Sequence, residues 1–287
     1  MTLITKISLP KSITHIGYEA FSFCVSLTNI SLPPNVKTIK AHAFSFCINL
    51  SNIAIPPKVT TIEDGIFWEC KNLTNIVIHK KVKNICGHPF IGCTKLESIS
   101  IDEDNKHYSL LDGVLYSKDF SKLVRFLCYH NDSYTVPPLV TKIDDYAFWG
   151  SRNLIKISIS KNVKKISKQS YIGCNNNISV DKENKNYASM DGVLYSKDYS
   201  RLIRCPYSKT NCMLPDTVVE ISSFAFSSCY GLTSITIPES VASIGDYAFR
   251  LCGSLESISI PEGVTSIGNK AFYGCENLTS ITIPKGV

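Results

Sequence analysis

The phrase L-x-x-I-x-I-P-x-x-V-x-x-I-x-x-x-A-F-x-x-C returns about every 23 residues, from Leu27 to Cys47, Leu50 to Cys70, Leu232 to Cys252 and Leu255 to Cys275. Looser copies start at Leu3/Ile4 and run from Leu73 to Cys93, and another opens at Leu278 and breaks off at Val287. A unit of this size cannot bury its own apolar face. Such units stack, each packing only on its neighbours around one continuous interior.

Leu50–Pro56 serves as the model coil. Leu50, Ile53 and Ile55 point inward while Asn52 and Ala54 alternate outward, as side chains on a strand must. Pro56 has no N–H for a ladder and ends the strand. Val59 and Ile62 enter the core on a second short extended stretch. Gly65-Ile66-Phe67 and Cys70, at three-residue spacing, predict a short helical turn opposite. Phe21, Phe44, Phe67, Phe90, Phe148, Phe226, Phe249 and Phe272 share one slot, with Tyr171 substituting once. The fold predicted is a leucine-rich-repeat solenoid, a right-handed superhelix of about nine coils of ~23 residues. Parallel strands form one face, with short extended and helical turns opposite. A solenoid grows without a single-core limit, so residues 1–287 are expected to form one domain. Neither end shows a polar capping repeat, which predicts a fragment of a longer chain and exposed apolar ends open to end-to-end self-association.

The period breaks twice, in inserts spanning about 102–137 and 181–215. Asn105-Lys-His-Tyr108 then Asp112-Gly-Val-Leu-Tyr-Ser-Lys-Asp119 is matched by Asn184-Lys-Asn-Tyr187 then Asp191-Gly-Val-Leu-Tyr-Ser-Lys-Asp198. Gly-Val-Leu-Tyr and the later Leu123-Val-Arg125 or Leu202-Ile-Arg204 read as the arms of a β-hairpin.

Eight of the twelve cysteines sit on the repeat: Cys24, Cys47, Cys70, Cys93, Cys174, Cys229, Cys252 and Cys275, with Ser151 at the same place in another coil. One cysteine per coil at a fixed offset reads as a small buried hydrophobe and free thiol. Cys86, Cys128, Cys205 and Cys212 lie off the ladder, and Cys205 and Cys212 could bridge within one insert. Cys86, His88 and Cys93 lack the paired spacing of a zinc site. No stretch approaches the ~20 apolar residues of a membrane span, and no signal peptide is visible at Met1–Pro10. The net charge of +6 is scattered, with no basic stripe interleaved with aromatics, which argues against nucleic acid.

The phrase I-P-x-x-V-x-x-I-G-x-x-A-F-x-x-C-x-x-L, clear at Ile237–Leu255 and Ile260–Leu278, resembles the repeat of BspA-like leucine-rich-repeat proteins. The N-x-x-Y…D-G-V-L-Y-x-K-D insert at Asn105–Asp119 and Asn184–Asp198 is also similar to that family. Such proteins occur in oral and gut bacteria and, in large numbers, in parasitic protists such as Trichomonas. Richness in lysine, asparagine and cysteine fits a protist better. The resemblance implies a secreted or cell-surface protein that attaches to host matrix proteins, other cells or other microbes.

Two surfaces are candidate protein-binding sites. The strand face presents small polar groups, among them Asn29, Ser31, Asn52, Ser234 and Thr236, which read equally as a solvated sheet with hydroxyls bonded across strands. The inserts concentrate Tyr108, Tyr116, Arg125, Tyr129, Tyr187, Tyr195, Arg201 and Arg204, types that dominate interface hot spots. These side chains either anchor a partner or cover the coil edge. No nucleophile–base pair, phosphate loop or H-E-x-x-H motif is present, so no enzyme, cofactor or metal is expected. Six sequons begin at Asn29, Asn49, Asn72, Asn131, Asn177 and Asn277, and Asn131 is the best glycan acceptor. The function predicted is non-catalytic protein recognition with adhesion at a cell surface; the alternative is an intracellular scaffold, which free thiols would suit.

Overall fold

Most coils bend where a proline stands, with His79 and Ser160 taking its place in two. Pro33 accepts a hydrogen bond from Val36 N–H at 3.0 Å, and Pro56 from Val59, Pro238 from Val241 and Pro261 from Val264 repeat the turn. A residue without an N–H ends the strand and lets the chain change direction. The computed structural model describes residues 4–96, 98–127, 132–148, 151, 153–170 and 177–287. Two compact units, Met1–Phe120 and Ser121–Val287, carry the fold. The architecture is a β-solenoid of parallel strands with about 11 turns.

In the first unit the strand Lys6–Ser8 pairs in parallel with Asn29–Ser31, Asn29 bridges to Asn52, and Asn75–Ile78 pairs with Ser98–Ile101. A second ladder pairs His15–Ile16 with Thr38–Ile39 and Thr61–Ile62 with Asn84–Ile85. The second unit repeats both ladders, Ser133–Thr135 with Lys156–Ile159 and Asn177–Val180 on one, and Glu220–Ile221, Ser243–Ile244 and Ser266–Ile267 on the other. Ser133–Thr135 and Asn211–Met213 stand in register with coil strands. The tail of each insert therefore begins a new coil, which is why the turns outnumber the nine expected.

Leu27, Ile30, Val36, Ile39, Ala43, Phe44 and Cys47 are all buried, the positions that the repeat phrase turns inward. The core rings stack along the coils: Phe21, Phe44, Phe67 and Phe90 at 5.2 to 6.0 Å in the first unit, and Phe226, Phe249 and Phe272 at 4.9 and 5.3 Å in the second. Ladder cysteines are free thiols that bond across the stack. Cys47, Cys70 and Cys93 Sγ each donate to the carbonyl of the phenylalanine 26 residues earlier at 3.1 Å, and Cys252 and Cys275 do so at 3.2 and 3.0 Å. Burial pushes the Cys47 and Cys93 thiols up to about 12. Cys205 and Cys212 are likewise buried and free; Cys128 and Cys174 lie outside the described residues.

The turn opposite the strands differs from the expected helix. Among the described residues no segment is helical. Ala43, Ser45 and Cys47 N–H bond three residues back, to Lys40, His42 and Phe44, whereas His42, Phe44 and Phe46 N–H bond across to Asp64, Ile66 and Trp68 of the next coil. A helix sends every N–H back along its own axis. Here alternate amides stitch the stack instead, which requires left-handed residues at His42 (φ 57°) and Phe46 (φ 59°), matched by Gly65 (58°) and Glu69 (58°) one coil on. Such a φ costs a non-glycine residue about 1–2 kcal/mol, a strain that the inter-coil bonds offset.

In the inserts Tyr108–Leu111 runs antiparallel to Val114–Ser117, and Tyr187–Met190, Val193–Ser196 and Arg201–Arg204 form an antiparallel set. Arg201–Arg204 then continues in parallel to Glu220–Ile221. The connections Asp112–Gly113 (φ 48° and 71°) and Asp191–Gly192 (50° and 80°) have the paired positive φ of a two-residue hairpin turn.

Candidate functional site

The strand face is flat and polar. Asn29, Ser31 and Asn52 are exposed in the first unit, and Ser234 and Thr236 in the second. Hydroxyls beside this face are already used: Ser51 Oγ donates to Thr28 O at 3.2 Å, Thr74 Oγ1 to Ser51 O at 3.3 Å and Thr233 Oγ1 to Thr210 O at 3.0 Å. Asn29 and Ser31 line a shallow hollow of about 380 Å³ with Lys6, Lys11, Pro33 and Pro34. Two apolar side chains break the face, Val77 (56 % exposed) and Met213 (87 %), which alternation places outward but which no charge or aromatic pattern marks.

The insert residues divide sharply. Asn105 and Asn184 are fully buried hinges of their loops. Asn184 Nδ2 donates to Ser160 O (2.9 Å) and Val163 O (3.1 Å), while Oδ1 accepts from the N–H of Asn186 (2.8 Å) and Tyr187 (2.9 Å). Asn105 clamps His79 O, Val82 O and the N–H of His107 and Tyr108 in the same way. Each loop then sets a tyrosine on the edge of the preceding coil: Tyr108 OH accepts from Ile85 N–H and Tyr187 OH from Ile166 N–H, both at 2.9 Å. Tyr116 and Tyr195 are buried, packed on Phe120 and Tyr199 at 5.2 and 5.4 Å. Arg125 and Arg204 are buried too. Arg125 donates to Tyr146 O, and Arg204 to Phe224 O and, at 2.8 Å, to Ser227 O. Of the two roles the sequence allows, covering the coil is the one these side chains perform: a buried tyrosine or arginine bonded to the chain has no face left for a partner. Arg201 is exposed and Tyr187 partly so; Tyr129 and Asn131 lie outside the described residues.

A third surface went unread in the sequence. Two residues after the core Phe, Phe23 stacks on Phe46 at 4.5 Å and 4° along the outside of the turn, and Phe46 meets Trp68, one residue after the core Phe67, at 5.9 Å. Beside it Tyr18, His42, Trp68 and His88 follow one another at 5.8, 5.5 and 5.6 Å. His42 lies over Gly65, where a Cβ would come within 2.3 Å of its ring, so the glycine makes room for the row. Tyr18 and Phe23 remain 63 % and 60 % exposed. Glu19 follows Tyr18 in the chain, Asp64 pairs with His88 at 2.9 Å and Glu69 with Lys71 at 3.5 Å. The signal was present as A-F-S-F at 20–23 and 43–46, an aromatic at a position other coils fill with Gly, Glu, Ser or Leu. His88 Nδ1 lies 2.9 Å from Asp64 Oδ1, and Cys93 Sγ donates to Phe67 O at 3.1 Å.

A family model for the BspA type leucine rich repeat region matches residues 1–110, 126–205 and 196–287 in 6 copies. The chain belongs to the BspA-type leucine-rich-repeat family. Among solved structures, a leucine-rich repeat protein from Eubacterium ventriosum aligns over 99% of this chain and 85% of its own, with TM-score 0.61 and 22% identity. A leucine rich cell surface protein from Faecalibacterium prausnitzii aligns over 97% and 78%, with TM-score 0.50 and 25% identity. No protein of curated function matches the sequence. The BspA-type assignment accounts for the repeat and the stacked core. No helix among the described residues is long and apolar enough to cross a membrane.

Proposed function

We propose that this BspA-type solenoid is a non-catalytic protein-recognition module acting in adhesion at a cell surface. The observation that carries the reading is the aromatic ridge Tyr18–Phe23–His42–Phe46–Trp68. Tyr18 and Phe23 are exposed and Trp68 is half-buried beside them; such rings supply large contact area at low entropic cost and dominate interface energetics. The carboxylates beside them suit a partner presenting apolar and basic side chains, arginine above all, through ion pairing and cation–π contact. The strand face, with Asn29, Ser31 and Asn52 in the first unit and Ser234 and Thr236 in the second, offers a flat polar area that adds fit and little energy. Likeness to a cell-surface protein supports the location.

The test is binding of the purified chain to immobilised matrix proteins and to intact cells, comparing Tyr18→Ser/Phe23→Ser with Asn52→Lys/Ser234→Lys. A ridge that anchors the partner loses about 30-fold or more in affinity, the effect of a hot-spot residue. If the ridge variant binds as before while the strand-face variant fails, the ridge is not the site. A full-length protein found wholly inside the cell would overturn the adhesive role.

A further inference from the structure

We propose that one edge of the first unit binds a linear sulfated polysaccharide laid along the stack of coils. The edge is formed by the turn after each first strand and the start of the second. It carries Lys11, Lys37, Lys58, Lys80, Lys81, Lys83 and Lys106, all exposed and amounting to seven of the twelve lysines in residues 1–120. The coils place them side by side: Asn35 Nδ2 donates to Lys11 O (3.3 Å) and Lys58 Nζ to Asn35 Oδ1 (2.9 Å), while the backbone bonds Lys37 N–H to Thr14 O and Lys83 N–H to Thr60 O at 2.8 Å. Neighbouring coils repeat about every 4.8 Å, so the ammonium groups form a comb whose axis is the axis of the solenoid.

At one end the comb opens into a cleft of about 660 Å³ lined by Lys80, Lys81, Lys83, Lys106, Thr60, Asp104 and His107. The insert builds this cleft. Buried Asn105 ties the loop to the carbonyls of His79 and Val82, which carries Lys106 to the side of Lys83. Asp104 neutralises only Lys80, at 3.0 Å, leaving three lysines of the cleft without a carboxylate from among its lining residues. The second insert repeats the device, with buried Asn184, Lys161 paired to Glu183 at 2.7 Å, and exposed Lys164 and Lys185.

The chemistry selects the ligand. A row of lysines with threonine and asparagine between them recognises sulfate and hydroxyl groups. Single-stranded nucleic acid needs a succession of rings or arginine planes for its bases, and the cleft has one imidazole, His107, and no Phe, Tyr, Trp or Arg; the first unit contains no arginine at all. A membrane surface needs apolar anchors among the lysines, and none lines the cleft. This edge uses different residues of each coil from the aromatic ridge, so the inference goes beyond protein recognition and does not depend on it.

Heparin, fully desulfated heparin, poly(dT) and phosphatidylserine vesicles are titrated into the whole chain across a salt series. The cleft variant Lys81→Gln/Lys83→Gln/Lys106→Gln is compared with Lys40→Gln/Lys71→Gln/Lys95→Gln, which removes the same charge elsewhere in the unit. Heparin is expected to bind, more weakly as salt rises, with the cleft variant losing on the order of tenfold or more and the control keeping its affinity. Desulfated heparin should not bind. Circular dichroism should be identical for all three proteins, since every substituted side chain is exposed. Absence of heparin binding, equal loss in the two variants, or tighter binding of poly(dT) or vesicles than of heparin overturns the proposal.

Discussion

Removing the Asn184 side chain should cost the second unit far more than its small size suggests. The amide closes four hydrogen bonds at 2.8–3.1 Å, two given and two received, in a fully buried position. Each such bond contributes about 1 kcal/mol net, and a buried polar group left unpaired costs about 1–3 kcal/mol. Asn184→Ala strands two carbonyls and two N–H groups; a water entering the gap would recover part of the loss. A net destabilisation of about 3–4 kcal/mol follows from those terms. Asn184→Asp is the sharper probe. It keeps an oxygen for the N–H groups of Asn186 and Tyr187 but points its second oxygen at the carbonyls of Ser160 and Val163, where only a protonated carboxyl can donate. The folded protein therefore raises this carboxyl above its unfolded value of about 3.9. A raised folded pKa means that stability is retained below the unfolded pKa and lost as pH rises through the folded one. The melting temperature of Asn184→Asp should thus approach that of the parent near pH 4 and fall behind at neutral pH, with Asn184→Ala offset equally at both. Calorimetric scans at the two pH values check this. A cost below about 1 kcal/mol for Asn184→Ala, or a pH-independent offset for Asn184→Asp, would refute the clamp.

Other substitutions test the stack itself. Phe249→Ala removes a buried ring between Phe226 and Phe272 and should cost about 3–5 kcal/mol, whereas Phe23→Ala on the exposed ridge should cost about 1 kcal/mol, both read by calorimetry. Gly65→Ala forces a side chain into φ 58° and against His42, with an expected loss of about 1–2 kcal/mol. Iodoacetamide footprinting at mildly alkaline pH should label part-exposed Cys86 well before Cys47 and Cys93, whose burial holds them as thiols. Early labelling of Cys47 would mean that the coil opens far more readily than its packing implies.

What faces inward was legible because repetition constrains it. Leu27, Ile30, Val36, Phe44 and Cys47 recur at fixed offsets since each must fill the same volume against its equivalents 23 residues away. The turn was harder. Gly65-Ile66-Phe67 and Cys70 have helical spacing, but the path is decided by where the amides of 42, 44 and 46 send their bonds, and the next coil outbids the residues behind. Only the left-handed residues betray this, and apart from Gly65, Gly87, Gly92 and Gly274 those of the turns are of mixed type, among them histidine, phenylalanine, glutamate, tyrosine, leucine and lysine, which carry no such signal on their own. The insert strand at Tyr108–Leu111 was missed although Asp112-Gly113, the standard pair for a two-residue turn, marked its end.

The functional surface was the least legible part, for a reason tied to the same architecture. In a stacked coil every outward position belongs to one of several edges, and which edge depends on the turn geometry that the spacing hides. Tyr116, Tyr195, Arg125 and Arg204 carry the composition of a binding site yet point into the coil, because an enlarged unit leaves its neighbours' carbonyls and ring edges uncovered and long side chains are what reach them. Phe23 and Phe46 lie two residues beyond a core Phe, close enough to be read as more core, yet the φ of 58° at Phe23 turns its ring outward to 60 % exposure. Residue type alone therefore misassigns both groups in opposite directions. The left-handed turn separates them: it keeps one aromatic column in the stack and puts a second where a partner can touch it. Replacing Phe46 by glycine relaxes the φ but deletes a half-buried ring stacked on Phe23, so the conformational gain of about 1 kcal/mol should offset only part of the lost burial and stacking. It should also weaken any partner that the ridge holds, and a variant that binds as well as the parent would show that the exposed column is idle.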